Sequence, residues 1–190
     1  MSQALQIYNT LTRQKEPFST IEPGVVRMYV CGVTPYASAH IGHAMSSIVF
    51  DMIRRYLAFS GYDVRHAQNF TDIDDKIIDR AQRLGIEMSE LAEQNIADYH
   101  RQLKELNVLP AHEYPRVTEL VPEIVRFIEG LIEKGFAYAS GGDVYYRVRE
   151  FGGARYGALS KRDIDDLVSG ARVDPTELKD DPLDFALWKA

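Results

Sequence analysis

Cys31-Gly32-Val33-Thr34-Pro35-Tyr36, followed after three residues by His40-Ile41-Gly42-His43, is the stretch whose reading decides the fold. It joins an apolar run to an amphipathic one. Val25 to Val30 holds Val25, Val26, Tyr29 and Val30, the β-branched and aromatic residues of a buried strand, and Gly32 ends it. From Ile41 the apolar positions are Ile41, Met45, Ile48, Val49, Met52, Ile53, Tyr56 and Leu57, which trace one face of a helix that Gly61 stops. Val64 to Phe70 reads as a second strand and Thr71 to Asp75 as an acidic turn. Ile77, Ile78, Ala81 and Leu84 then mark a short helix closed near Gly85. A strand–helix–strand–helix order predicts a right-handed βαβ unit, with strands 25–30 and 64–70 as parallel neighbours joined by helix 41–60.

Working outward, Ser89 is the expected cap of a helix with the apolar line Ala92, Ile96, Tyr99, Leu103 and Leu106. Thr118 is the expected cap of another, with Val121, Ile124, Val125, Ile128, Leu131 and Ile132 as its buried face and Gly135 as its stop. Phe136 to Ser140 and Asp143 to Val148 flank Gly141-Gly142, a two-residue hairpin signal. Gly152 to Gly157 reads as a glycine-rich loop, and Pro182 to Lys189 contains a final short strand. Together these predict an α/β protein, a doubly wound sheet interrupted by an insertion.

A length of 190 residues suits one domain, or one with an insertion. Hydrophobic content of 45% and charged content of 26% describe a globular chain. No apolar run approaches the ~20 residues of a membrane helix. The opening Met1-Ser2-Gln3-Ala4-Leu5-Gln6 lacks the layout of a signal peptide. Cys31 is the only cysteine, so a reducing cytoplasm is the default. A net charge of −6 argues against a dedicated nucleic-acid-binding module, though not against a local patch.

A helix N-terminus offers free N–H groups and partial positive charge, so His40-Ile41-Gly42-His43 suits a polyphosphate. Two histidines three residues apart share one side of a helix and can donate to an α-phosphate as charge builds on it. Gly42 lets a ligand approach the backbone. The plain alternative is two surface histidines at a helix start. Cys31 reads as inert core, as a nucleophile without a local base, or as a metal ligand. In Asn69-Phe70-Thr71-Asp72-Ile73-Asp74-Asp75-Lys76 the carboxylates suit Mg²⁺. The favoured reading is simpler: Thr71 or Asp72 caps a helix, and Asp74 and Asp75 sit at its positive end. Asn69 and Thr71 are expected to face the same crevice as Cys31, outside the carboxyl ends of the strands.

Several longer segments carry a family resemblance. Ile7 to Arg13, Met28 to Gly32, His40 to His43 and Asn69 to Ile78 resemble the cysteinyl-tRNA synthetases, a family of class I aminoacyl-tRNA synthetases. Asp143-Val144-Tyr145-Tyr146, Gly170-Ala171-Arg172-Val173 and Asp181 to Lys189 are similar to the same family, in the same order. The resemblance implies the first half of a class I Rossmann-type parallel sheet over residues 1–118. Residues 119–190 would be an inserted α+β connective segment returning toward a second half. It implies ATP-dependent activation of L-cysteine, with Mg²⁺ accompanying the ATP, and transfer to the 3′ end of cysteine tRNA. By position, His40, Gly42 and His43 bind ATP, and the two histidines are catalytic. Gly32, Thr34 and Thr71 contact cysteine. Cys31 is the first ligand of a Zn²⁺ that grips the substrate thiolate. A direct Zn–S bond of about 2.3 Å separates cysteine from serine.

The family's other zinc ligands, its Lys-Met-Ser-Lys-Ser loop and its tRNA-binding helices lie past the position of Ala190. The chain therefore reads as an N-terminal portion that a C-terminal half completes. Leu159-Ser160-Lys161-Arg162 lacks the leading lysine and methionine of that loop, and nearby Asp163, Asp165 and Asp166 suggest an exposed helix start. Two other functions stay open. One is the related cysteine–amino-sugar ligase of mycothiol synthesis, against which Lys76-Ile77-Ile78 weighs. The other is a nucleotide-binding half-domain without catalysis.

Overall fold

An antiparallel hairpin opens the chain in the computed structural model, which describes residues 5–152, 155–162, 164 and 178–190. Strand β1 (Gln6–Asn9) pairs with β2 (Gln14–Pro17). The Asn9 side chain accepts the Leu11 N–H at 2.9 Å within the turn, and Arg13 takes a positive φ of 59°. Both strands are largely exposed, so no alternating apolar pattern marks them in the sequence.

Strand β3 (Val25–Val33), helix α1 (Ile41–Phe59) and strand β4 (Asp63–Phe70) form the expected parallel βαβ unit. Register runs from Val25 opposite Asp63 to Val30 opposite Gln68, then shifts before Val33 meets Phe70. The irregularity falls at Cys31-Gly32, and such bulges re-aim side chains at sheet rims. Parallel bridges from Ala67 to Glu113 and from Phe70 to Arg116 extend the far side of β4. Helix α2 (Asp75–Leu84) ends at Gly85, as its sequence suggests, and α3 (Met88–Glu105) follows.

Helix α4 (Val121–Glu133) leads to β5 (Ala137–Ser140), β6 (Asp143–Tyr146), a 3₁₀ turn at Arg149–Phe151, and β7 (Phe185–Trp188). The turn between β5 and β6 needs φ > 0 twice, and Gly141 and Gly142 supply 63° and 99°. Asp184, 4% exposed, fastens this sheet. It accepts from Tyr138 Oη at 2.9 Å and from the Val148 N–H at 3.0 Å. Burial, with this bond, pushes the Tyr138 phenol up to about 12. The described residues divide between two compact units, Ser19–Val121 and the combination of Met1–Phe18 with Pro122–Ala190.

Two apolar clusters anchor the first unit. Phe70, Ile96, Tyr99 and Leu103 form one, and Ile77, Ala81, Leu91 and Ala92 the other. The apolar line of α3 is thus buried as its spacing predicts, except Leu106, which is exposed.

Helix α1 departs from its pattern. Ile41, Met45, Ile48, Val49, Met52, Ile53 and Tyr56 are exposed, while Ser47, Asp51 and Leu57 are buried. The inward face of β4 is polar as well, carrying His66 and Gln68. Buried polar groups need partners. Ser47 meets Tyr99 Oη at 3.1 Å, which also accepts from Gln68 at 3.3 Å. Asp51 accepts the Leu109 N–H at 3.2 Å. In α4 only Ile128 is fully buried, and Ile132 and Phe127 are exposed.

Three cap assignments are corrected. Asp74 caps α2, accepting the Lys76 N–H at 2.9 Å, with Asp75 in the first turn. Neither Thr71 nor Asp72 does so. Glu87 stands at the N-cap of α3 without a side-chain bond, which leaves Ser89 inside the helix. Thr118 lies before α4, and its hydroxyl donates to Asp72 at 2.5 Å. The segment Gly170–Val173 and Asp163, Asp165 and Asp166 fall outside the described residues.

Candidate active site

The end of β3 is held by one side chain from β4. Asn69 Oδ1 accepts the Gly32 N–H at 2.8 Å and the Tyr29 hydroxyl at 2.9 Å. Only glycine fits at position 32, since an added Cβ would lie 1.5 Å from the Asn69 carbonyl oxygen. Asn69 Nδ2 points toward Thr71 Oγ1 at 3.4 Å, and the Thr71 N–H donates to the Val33 carbonyl at 3.1 Å. Gly32, Asn69 and Thr71 are thus tied together at the carboxyl ends of β3 and β4. Cys31, between Val30 and Gly32 on this edge, is an exposed free thiol.

His40 and His43 form a reciprocal cap on α1. The Gly42 N–H donates to His40 Nδ1 at 3.1 Å, and the His40 N–H donates to His43 Nδ1 at 3.2 Å. The rings stack with centroids 4.0 Å apart and planes 20° from parallel. Two histidines thus occupy the roles that Ser and Glu play in a common capping box. An acceptor Nδ1 fixes the neutral tautomer, which carries its proton on Nε2. Each ring then presents an Nε2–H donor on the edge away from the cap. Burial, reinforced by the neighbouring His40, lowers the His43 pKa and favours this neutral form. A Cβ at Gly42 would stand 3.0 Å from His40 Cε1, so the glycine makes room for the ring.

Loop 34–39 links the two groups. Thr34 and Pro35 line a small pocket with Ala39, His43, Asn95 and Tyr99. The Thr34 carbonyl accepts the Tyr36 N–H at 2.9 Å. Asn95, on α3, donates to the Pro35 carbonyl at 3.0 Å and holds the loop in place. The sequence reading misses Asn95. It sits one residue before Ile96 in the apolar line of α3, and only its polarity on that inner side hints at a task. Asp72 is also structural, accepting from the N–H of Thr118 at 3.0 Å besides its hydroxyl.

The metal assignments find less support. Among the described residues no three His, Cys, Asp or Glu side chains come together, so Cys31 does not join His40 and His43 in a metal site. Zinc needs three or four protein ligands, and Cys31 alone does not make its site. Nor do the aspartates of 72–75 form a Mg²⁺ cluster. Among the described residues no helix is long and apolar enough to cross a membrane.

Comparison with known proteins is consistent with this architecture. Over 186 residues the chain is 54% identical to cysteine–tRNA ligase of Dehalococcoides mccartyi, covering 98% of this chain and 40% of that one. The cysteine–tRNA ligase of a Nostoc species is 55% identical over 191 residues, with 39% of its length covered. The chain thus spans about 40% of the length of these relatives. Among solved structures, Mycobacterium tuberculosis methionyl-tRNA synthetase in complex with methionyl-adenylate shares the fold, with a TM-score of 0.59 and 17% identity over 85% of this chain and 44% of that one. The family described as tRNA synthetases class I (C) catalytic domain matches residues 17–190. On this match, the chain belongs to the class I tRNA synthetase catalytic domain family.

Proposed function

We propose that this chain is the nucleotide- and cysteine-binding portion of a cysteine–tRNA ligase. The histidine cap of α1 carries the reading. His40 and His43 each use Nδ1 for the helix and keep Nε2–H as a donor at a positive helix end. That arrangement suits the α-phosphate of ATP. A carboxylate oxygen of cysteine attacks that phosphorus, the bond to the bridging oxygen breaks, and pyrophosphate leaves with its Mg²⁺. The two donors meet the charge that builds on the phosphoryl oxygens, and donors of this kind act chiefly on the transition state. A terminal ribose hydroxyl of cysteine tRNA then attacks the acyl carbon of the adenylate, and AMP departs.

Gly32, Thr34 and Thr71 border the end of the sheet where the amino acid would lie. Cys31 would offer one thiolate to a zinc ion, which would supply a sulfur-selective bond to the substrate thiolate once further ligands completed the site. A reducing cytoplasm suits an exposed thiol of this kind. The test is cysteine-dependent ATP–pyrophosphate exchange, followed by charging, in the complete enzyme that carries this chain. Exchange that ignores cysteine would overturn the reading. Transfer to an amino sugar in place of tRNA would redirect it to the related ligase.

A further inference from the structure

Helix α2 presents three cations on one outer face. Lys76, Arg80 and Arg83 are exposed, and with Tyr36, Ala37 and Asp79 they line an open cavity of about 460 Å³. Their setting differs from that of most other arginines in the chain. Arg27, Arg55, Arg65, Arg101, Arg116, Arg126, Arg147 and Arg149 are all in ion pairs. Among the described residues Lys76, Arg80 and Arg83 are in none, although Asp79 lies in the same cavity. Lys76 instead stands 5.6 Å over the ring of Tyr36.

Two features of this ridge run against helix stability, although Arg83 in the last turn is favourably placed. Lys76 sits in the first turn of α2, where the helix dipole repels a cation. Lys76 and Arg80 are like charges at i,i+4, which is also unfavourable. The whole chain carries a charge of −6, so a local basic ridge is against the average. An external anion resolves all three facts.

Position narrows the anion. Ala37 lines both this cavity and the small pocket that holds Thr34 and His43. The ridge therefore borders the candidate active site. It offers charges along successive turns, as a phosphodiester backbone requires, with an aromatic ring beside them on which a base can stack.

We propose that Lys76, Arg80 and Arg83, with Tyr36, form a track for the RNA phosphates next to the 3′ end that receives the amino acid. This rests on the ligase reading for the identity of the RNA. The test is binding of the full chain to a fluorescent acceptor-stem minihelix with an unpaired 3′ end, read by anisotropy across a range of salt. Each phosphate contact contributes roughly −0.7 to −0.9 to the slope of log K against log salt, or roughly fivefold in affinity near 0.15 M. The triple variant Lys76→Gln/Arg80→Gln/Arg83→Gln should lose about two units of slope and roughly 100-fold in affinity. Arg80→Lys/Arg83→Lys should retain most of both, and Arg101→Gln, which alters an exposed ion-paired arginine on α3, should change neither.

Circular dichroism checks that the variants fold. Wild-type chain that does not bind the RNA, or a triple variant that binds it normally, overturns the proposal. A parallel loss of ATP affinity in the triple variant also overturns it, because the ridge would then serve the nucleotide. Cysteine-dependent exchange by the complete enzyme reports separately on the ligase reading. RNA binding lost in the variants without such exchange keeps the ridge and removes the ligase.

Discussion

His40 caps α1 through Nδ1 and has its second nitrogen on the other edge of the ring, so two roles can be separated by substitution. His40→Ala removes the cap and the donor together, with an expected stability loss of about 1 kcal/mol. Asparagine is itself a good cap, so His40→Asn should cost almost nothing in stability. If Nε2–H meets charge in the transition state, both variants of the complete enzyme slow adenylate formation by about 10² to 10³-fold. Stopped-flow rates with asparagine equal to wild type would leave His40 a cap and nothing more. Cys31 gives a second case. One exposed thiol is too few ligands for zinc, so the 190-residue chain should hold none after dialysis against a weak chelator. Metal analysis finding one zinc per chain, lost in Cys31→Ser, would show that a complete site exists.

The bulge at the end of β3 is an element-level device, and glycine substitutions test it. Alanine at Gly32 would drive its Cβ into the Asn69 backbone, so β3 and β4 must part and Asn69 must release its bonds. Gly32→Ala should cost on the order of 3 kcal/mol or more. Gly130 lies inside α4 with nothing within 4 Å of an added Cβ. Gly130→Ala should therefore stabilise by about 0.5–1 kcal/mol. Urea denaturation of the two variants decides both signs. Helix α1 supplies another contrast. Leu57 is 4% exposed and Met52 is 63% exposed, although both lie on the apolar line read from the sequence. Leu57→Ala should cost about 2–4 kcal/mol, and Met52→Ala less than about 0.5 kcal/mol. Equal losses would mean that the outer face of α1 is covered in solution.

For the molecule as a whole, three histidines set the response to mild acid. His43, His66 and His100 all have lowered pKa values, with burial as the leading cause. His66 is the clearest case. It is buried, both ring nitrogens lack a hydrogen-bond partner among the described residues, and Arg54 and His112 add repulsion that Asp51 only partly offsets. A histidine whose folded pKa lies below 6.5 binds fewer protons folded than unfolded. Stability is then fully present above about pH 6.5 and falls as pH drops toward 5, where carboxylates remain ionised. Urea midpoints should decrease from pH 7.5 to 5.5, and His66→Leu should flatten the decrease. An unchanged slope in that variant would move the effect to His43 and His100. The parallel βαβ unit, the Gly141-Gly142 hairpin, α3 and the strand at 185–188 were legible because period, β-branching and glycine punctuation are local signals. So was the placement of Asn69 and Thr71 at the carboxyl end of the second strand. Other features needed the folded chain, because their partners are distant in sequence. Asn69 reaches Gly32 across 37 positions and Asp72 reaches Thr118 across 46. Ser47 and Asp51 turn inward on α1 because Tyr99, which also accepts from Gln68 of β4, and the Leu109 N–H pair with them, and no periodicity within α1 reports those partners. The sequence by itself determined the main elements from Val25 onward and their order, but not the β1–β2 hairpin, whose exposed strands carry no apolar alternation. Tertiary structure alone decided which face of α1 turned inward, which carboxylate capped α2 and which Asp72 bonds closed, since each depends on pairing buried polar groups across the fold.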